Sequence, residues 1–299
     1  MRLNDTDLLV LNQFSILSNN SLTFLYKDRC YNITSLDSYW YRRGALIIDS
    51  ASFKITDNTN LNLYLRKEYF DLITGIHFFL TTNTNSISSF LDNDTNKLAN
   101  LVYAKKAGLT VPETIVTTMK SVLLPFFHQC SGKIITKPIY HIGYYEDALS
   151  FYGALTWAVT EEDIDELPET FGVSLFQKNI EKAFELRIFF LHGKIFSTAI
   201  FSQNDKMTQT DFRNYNRETP NRVVAFELSG EIKNKLGVFM QIVNMNSGSI
   251  DMIYDTNGNY VFLELNPVGQ FGMTSEPCNY NIDRLIAEKI CNYEGIYPG

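Results

Sequence analysis

SIDMIYDTNGNYVFLELNPVGQF, residues Ser249 to Phe271, reads as two strands joined at Asn257-Gly258. Asn-Gly favours a type I′ turn, whose two central residues both need positive φ. Folding the chain about that dipeptide sets Asp255 opposite Tyr260 and Asp251 opposite Glu264. Directly opposed residues share a sheet face, and Asn266 joins them because side chains alternate with period two. Two carboxylates and an amide then converge on one spot. Opposed like charges destabilise a sheet unless something cationic lies between them. Oxygen ligands of this kind suit Mg²⁺ or Mn²⁺, with phosphates and water completing the shell. The plainer alternative is a solvated acidic face. Pro267 and Gly269, which end the strand just beyond the three oxygens, favour the metal reading.

Composition sets the outer limits. A chain of 299 residues fits one large domain or two to three subdomains sharing a site. With 26 basic and 33 acidic residues the net charge is −7, which argues against a non-specific nucleic-acid binder. Cys30, Cys130, Cys278 and Cys291 show no CxxC spacing, so a reduced, cytoplasmic chain is expected. His77, His128, His141 and His192 lack ligand-like spacing. No apolar run reaches membrane-spanning length, and no secretory signal is expected in MRLNDTDLLVLNQF.

Working outward from the hairpin, strands are expected at Leu8–Leu11, Leu22–Tyr26, Ala45–Ile48, Ile134–Pro138, Ser174–Gln177, Phe184–Leu191 and Lys194–Phe201. Helical spacing marks Lys97–Lys106, with Gly108 as its C′ residue, and also Ile232–Val243 and Ile282–Ile290. Thr160 followed by Glu161, Glu162 and Asp163 reads as a capped helix start. Tyr64–Leu80 mixes helical and apolar character, and Thr81–Asn96 reads as a polar connection.

Four further groups carry chemical weight. Lys137, at a strand end before Pro138, is a point charge suited to phosphate. Gln177-Lys178-Asn179-Ile180 interrupts an apolar strand, and its backbone could offer adenine a donor–acceptor pair. Glu185 and Arg187, two apart, share a face; the acid can accept ribose hydroxyls and the guanidinium can clamp phosphate, although taken alone the pair reads rather as an exposed ion-pair strand. Asp211-Phe212-Arg213-Asn214 lies in a polar loop, where Arg213 could neutralise a transferring phosphoryl group, a solvated loop arginine reading equally well locally. Tyr39-Trp40-Tyr41-Arg42-Arg43 sets aromatics beside arginines, a pattern that more often means packing than anion recognition.

Taken in order, Lys137-Pro138, the 177–180 hinge, Glu185-Leu186-Arg187, Asp211-Phe212-Arg213, Asp251 and Glu264-Leu265-Asn266 resemble the ATP-grasp superfamily. FSQND with TDFRNY, NSGSIDMI and FLELNPVGQFGMTSEPCNYNIDRLIA resemble, more narrowly, the maturases of ω-ester and ω-amide peptides. These are the graspetide, or microviridin-type, ligases, and the similarity extends to their grasp-with-spasm group. The resemblance implies an α+β and α/β chain: an N-terminal pre-ATP-grasp domain over residues 1–92, a central ATP-grasp subdomain over 93–180 and a C-terminal one over 181–299. It implies ATP and Mg²⁺ (or Mn²⁺) as cofactors. Lys137 and Arg213 would lie at phosphates, Gln177, Lys178, Asn179 and Ile180 at adenine, and Glu185 at ribose, with Asn214 also binding the nucleotide. Asp251, Glu264 and Asn266 would hold the metal, and Arg187 or Arg213 would stabilise an oxyanion. The ribose position, often Asp in related ligases, is Glu185 here, and the hinge carries Lys178-Asn179 where others have an acidic–aromatic pair.

The activity so implied is macrocyclisation of a ribosomal precursor peptide, leader plus core. A side-chain carboxylate becomes an acyl phosphate and is captured by a Ser or Thr hydroxyl or a Lys amine. A carboxylate–amine ligase acting on a small molecule or protein tail, and a non-catalytic nucleotide- or peptide-binding protein, are the competing readings. Neither nucleic acid nor membrane is an expected partner; a homodimer is a family expectation.

Overall fold

The computed structural model describes residues 2–4, 6–17, 20–49, 59–92, 95–140, 144–146, 151–153, 156–202 and 221–291. They fall into two compact units, residues up to 94 together with the last helix, and residues 95–281.

In the first unit β1 (Leu8–Ser15), β2 (Ser21–Tyr26), β3 (Arg29–Asn32), β4 (Ser38–Trp40) and β5 (Ile47–Ile48) precede α1 (Thr59–Asn83) and β6 (Asn85–Ile87). The main sheet runs β3-β2-β1-β5, with β1 and β5 parallel; β4 and β6 form a separate parallel pair. Alternation in β2 buries Leu22 and Phe24, and α1 contributes Ile73, Ile76, Phe79 and Leu80 to the same core. The expected connection over Thr81–Asn96 is instead structured in its described residues up to 92. It holds the end of α1, β6 and a short helical turn at Phe90–Asp92. Its polar residues misled because they satisfy the helix itself: the hydroxyls of Thr81 and Thr84 donate to the carbonyls of His77 and Leu80, each at 2.8 Å.

The Tyr39–Arg43 aromatics serve packing, and Arg42 lies over the Trp40 ring at 5.6 Å. His77 is buried among them: Phe90 stacks on it at 4.3 Å, Tyr41 meets it edge-on at 5.6 Å, and Tyr39 Oη shares a 2.6 Å hydrogen bond with Nδ1. Burial lowers the imidazole to about 4 from an ordinary value of 6.5. The native state therefore keeps His77 neutral while the unfolded chain takes up a proton between those pH values. This contribution is fully present above about pH 6.5 and is lost as pH falls toward 4, by roughly 3 kcal/mol. Urea midpoints of wild type should drop more between pH 7 and pH 4.5 than those of His77→Gln. A parallel drop in both proteins would remove His77 as the cause.

The second unit opens with α2 (Lys97–Lys106). Asn96 caps it by accepting the Ala99 N–H at 3.0 Å. Gly108, at φ +80°, closes it: the Leu109 N–H reaches the Ala104 carbonyl at 3.0 Å and the Gly108 N–H reaches that of Lys105 at 3.1 Å. Next come β7 (Thr114–Met119), α3 (Lys120–Gln129), β8 (Ile134–Lys137), the paired β9 (Tyr144–Glu146) and β10 (Phe151–Gly153), β11 (Trp157–Val159), α4 (Glu161–Glu166) and β12 (Thr170–Lys178). An antiparallel sheet of order β11-β8-β12-β7 results. The Thr160–Asp163 capping box starts α4 as expected. Sequence gave no sign of α3, which contains Pro125 and lacks a side-chain cap. Its formation follows from burial of Leu123, Phe126 and Phe127 against Ile134, Val159 and Phe176.

The chain then builds β13 (Lys182–Leu191), β14 (Lys194–Phe201), β15 (Arg222–Ala225), α5 (Gly230–Ile242), β16 (Ser247–Asp255) and β17 (Tyr260–Asn266). These strands form a second antiparallel sheet, β15-β14-β13-β16-β17. Leu186, Ile188, Ile250, Met252, Phe262 and Leu265 belong to one core with Leu101 and Ala104 of α2 and Leu236 and Phe239 of α5. Period two sends Glu185, Arg187, Asp251 and Glu264 to the opposite face. After the short α6 (Gly272–Ser275), α7 (Ile282–Ile290) belongs to the first unit: Ser38 Oγ donates to the Ile290 carbonyl at 2.6 Å and Asn85 Nδ2 to that of Lys289 at 3.0 Å. Among the described residues no helix is long and apolar enough to cross a membrane.

Candidate active site

Arg187, Asp251 and Glu264 occupy matching positions on three neighbouring strands: Arg187 pairs with Asp251, and Asp251 with Glu264. Arg187 Nη1 donates to both Asp251 oxygens, at 2.6 and 2.7 Å. Asn266 Nδ2 lies 3.1 Å from Asp251 Oδ2 and 3.5 Å from Glu264 Oε1. Asp251 is 8% exposed and Glu264 9%, so this is no solvated acidic face. Arg187 Nε is buried without a protein partner.

The convergence read from the sequence is therefore present, but the turn that produces it differs. Gly258 has φ +86° while Asn257 is not in the positive-φ region, which excludes a type I′ turn. The Gly258 N–H reaches the Asp255 carbonyl at 3.2 Å and the Asp255 N–H reaches that of Asn259 at 2.9 Å. The loop is thus Thr256-Asn257-Gly258, a type I turn closed by a left-handed glycine. Asp255 holds it by accepting the Asn257 and Asn259 N–H groups at 2.9 and 2.7 Å. Tyr260 consequently faces Tyr254 rather than Asp255. A bulge at Leu263 then shifts the register by one, so that Asp251 again opposes Glu264.

The donor set fits a hard divalent cation. In this structure the Asn266 NH₂ group bridges two carboxylates, in a place where a positive charge would be stabilised. Rotating the amide by half a turn would present Oδ1 to an ion there. Among the described residues no three His, Cys, Asp or Glu side chains gather as a metal cluster. Two carboxylates and an amide leave the rest of the shell to phosphate and water.

A cleft within this second unit is lined on one side by Ile135, Lys137 and Gln177 and on the other by Glu185, Asp251, Ile253 and Glu264. The hinge residues Lys178, Asn179 and Ile180 close its end. The Lys178 and Asn179 N–H groups already donate to the carbonyls of Glu113 and Lys133, at 2.8 and 2.9 Å. The Lys178 ammonium is turned to Glu113 at 2.8 Å, a contact that holds the Glu113 carboxyl below its ordinary range. Gln177 is fully buried, with Nε2 on Thr114 Oγ1 at 2.9 Å. Glu185 is 7% exposed; it accepts from Lys182 and, at 3.3 Å, from Ser202 Oγ. Arg213 and Asn214, with Asp211 and Phe212, lie outside the described residues.

Sequence reasoning missed two cleft lysines, Lys97 and Lys182. Lys97 carries a signal in hindsight: a lysine in the first turn sits at the positive end of the helix dipole, an electrostatically poor place. Its Nζ donates to the Pro138 carbonyl at 3.3 Å. Lys182 carries none, because its orientation depends on a strand irregularity.

Two antiparallel sheets that enclose a cleft, with a strand-break hinge at one end and acids and an amide on one wall, define the ATP-grasp class. Solved structures agree. The macrocyclase MdnC of Microcystis aeruginosa, bound with its precursor peptide MdnA, is 26% identical at a TM-score of 0.75, over 95% of this chain and 87% of that one. A Chryseobacterium gregarium RiPP-associated ATP-grasp ligase, in complex with ADP and a leader and core peptide, is 21% identical at a TM-score of 0.81, over 96% and 86%. The ATP-grasp ligase PsnB, complexed with a minimal precursor, is 18% identical at 0.70, over 95% and 85%. No family model matches the sequence, and no curated protein matches it either. The chain has the fold of the ATP-grasp peptide ligases, as the resemblance in its motifs implied.

Proposed function

We propose that this chain is an ATP-dependent macrocyclase of a ribosomally made precursor peptide. It joins Asp or Glu side chains of the core to Ser or Thr hydroxyls, or to Lys amines, by way of an acyl phosphate. The observation that carries this reading is the buried set of Arg187, Asp251, Glu264 and Asn266 facing a hinge-ended cleft, on a fold shared along 95% of the chain with a peptide macrocyclase. Lys97 and Lys137 would place charge at the phosphates. Because the Lys178 and Asn179 N–H groups are committed elsewhere, an adenine edge would meet the Ile180 N–H and the hinge carbonyls. Glu185 would accept ribose hydroxyls. Asp251, Glu264 and Asn266 would hold Mg²⁺, which when bound offsets charge on the transferring phosphoryl group. Arg187 or Arg213 would stabilise the oxyanion of ring closure. Subdomain limits near 92 and 180, a cytoplasmic location and a homodimer complete the proposal. MdnC, the Chryseobacterium ligase and PsnB, each solved with precursor peptide, support the choice of substrate.

The test is incubation with a precursor, ATP and Mg²⁺, read by mass. Each ring removes one water from the peptide. A gain of amino-acid mass would mark a tailing ligase instead, and an unchanged mass with a verified precursor would reject cyclisation.

A further inference from the structure

Lys182 and Glu185 are three residues apart on β13 and nevertheless touch. In a regular strand, residues separated by three point to opposite faces. The pairing with β16 explains the exception. Phe184 faces Tyr254, but Lys182 faces Asp255, so Ala183 is an extra residue on β13. This bulge turns Lys182 onto the cleft face beside Glu185. Both side chains are buried, at 7% and 9% exposure, and both line the cleft. Ser202 Oγ donates to the other Glu185 oxygen at 3.3 Å.

We infer that Lys182 and Glu185 together form a donor–acceptor pair that reads the ribose hydroxyls of the nucleotide, with Lys182 the specificity-determining member. The inference rests on the nucleotide reading given above. Its position follows from the order of groups along β13: the hinge ends at Ile180, Lys182 and Glu185 come next, and Arg187 stands at the acids of the metal end. Ribose lies between adenine and phosphates in any nucleotide that spans those ends. An ammonium has three N–H donors, and the bond to Glu185 uses one. A carboxylate accepts more than two hydrogen bonds, so Glu185 can keep Lys182 and still take a sugar O–H. A sugar hydroxyl placed there would donate to Glu185 and accept from Lys182. A purely structural Lys182 would neutralise Glu185 without distinguishing one sugar from another.

Calorimetric titration with Mg·ADP and with Mg·2′,3′-dideoxy-ADP separates these roles. Wild type should bind the dideoxy nucleotide at least about tenfold more weakly, since it forgoes the hydrogen bonds that the ribose hydroxyls make to this buried, charged pair. Lys182→Met should narrow that gap to within about threefold while still binding ADP, and Lys182→Arg should retain most of it. An unchanged gap in Lys182→Met overturns the inference and leaves the nucleotide reading intact. Absence of ADP binding to the wild-type protein overturns that reading and the inference with it. The wild-type gap needs no variant to be informative: a ratio below about twofold overturns the ribose pairing outright.

Discussion

Glu264→Ala is expected to lower precursor-dependent ATP turnover by roughly 10³-fold or more, because in the proposed site it removes one of two carboxylates that would hold the ion offsetting phosphoryl charge. The same change should not unfold the protein. Glu264 is one of two opposed acids on neighbouring strands, and removing it relieves the repulsion between them. The melting temperature without nucleotide should therefore stay level or rise, while the increase produced by Mg·ATP should disappear. Turnover within about tenfold of wild type would exclude a metal-ligating role for Glu264.

The second large effect concerns Arg187, and it is on stability as well as rate. Both oxygens of buried Asp251 accept from Arg187 Nη1, and Oδ2 accepts from Asn266 Nδ2 as well. Arg187→Met leaves two neighbouring carboxylates without their guanidinium, at a cost of about 3–5 kcal/mol. Asp251→Asn in the same background should recover much of that loss, because it removes the charge that Arg187 had neutralised. A double-mutant cycle in urea should give a coupling of at least about 2 kcal/mol between the two positions. Added Mg²⁺ should stabilise Arg187→Met more than it stabilises the double variant. Additive losses would mean that the contact contributes little and that Arg187 is retained for chemistry alone.

How much of this was visible in the linear chain depends on the scale considered. Alternation within strands was enough to place Glu185 with Arg187, and Glu264 with Asn266, because in a regular strand a side chain's face depends only on parity. The hairpin came out right through two departures that cancel. A three-residue loop replaced the expected two-residue one, and the Leu263 bulge restored the alignment. Neither is encoded by a recognisable dipeptide; the bulge is settled by Phe262 and Leu265 filling the core while Glu264 faces the cleft. Lys182 was illegible for the same reason, since parity assigns it to the wrong side unless the extra Ala183 is known. Helix α3 was hidden by Pro125, whose penalty is outweighed by apolar contacts distant in sequence. The hinge was legible as a break in an apolar run, but the direction of the Lys178 side chain was fixed by Glu113, sixty-five residues earlier.

The helix α7 returns from beyond residue 281 to hydrogen-bond with β4 and β6 through Ser38 and Asn85. During synthesis the first 94 residues therefore leave the ribosome lacking a piece of their own architecture. At about 5–20 residues per second, that piece follows roughly 10–40 s later. The segment carrying the cleft can close meanwhile, so the N-terminal unit is completed only after α7 has emerged, and a truncation before Ile282 would leave that unit unfinished.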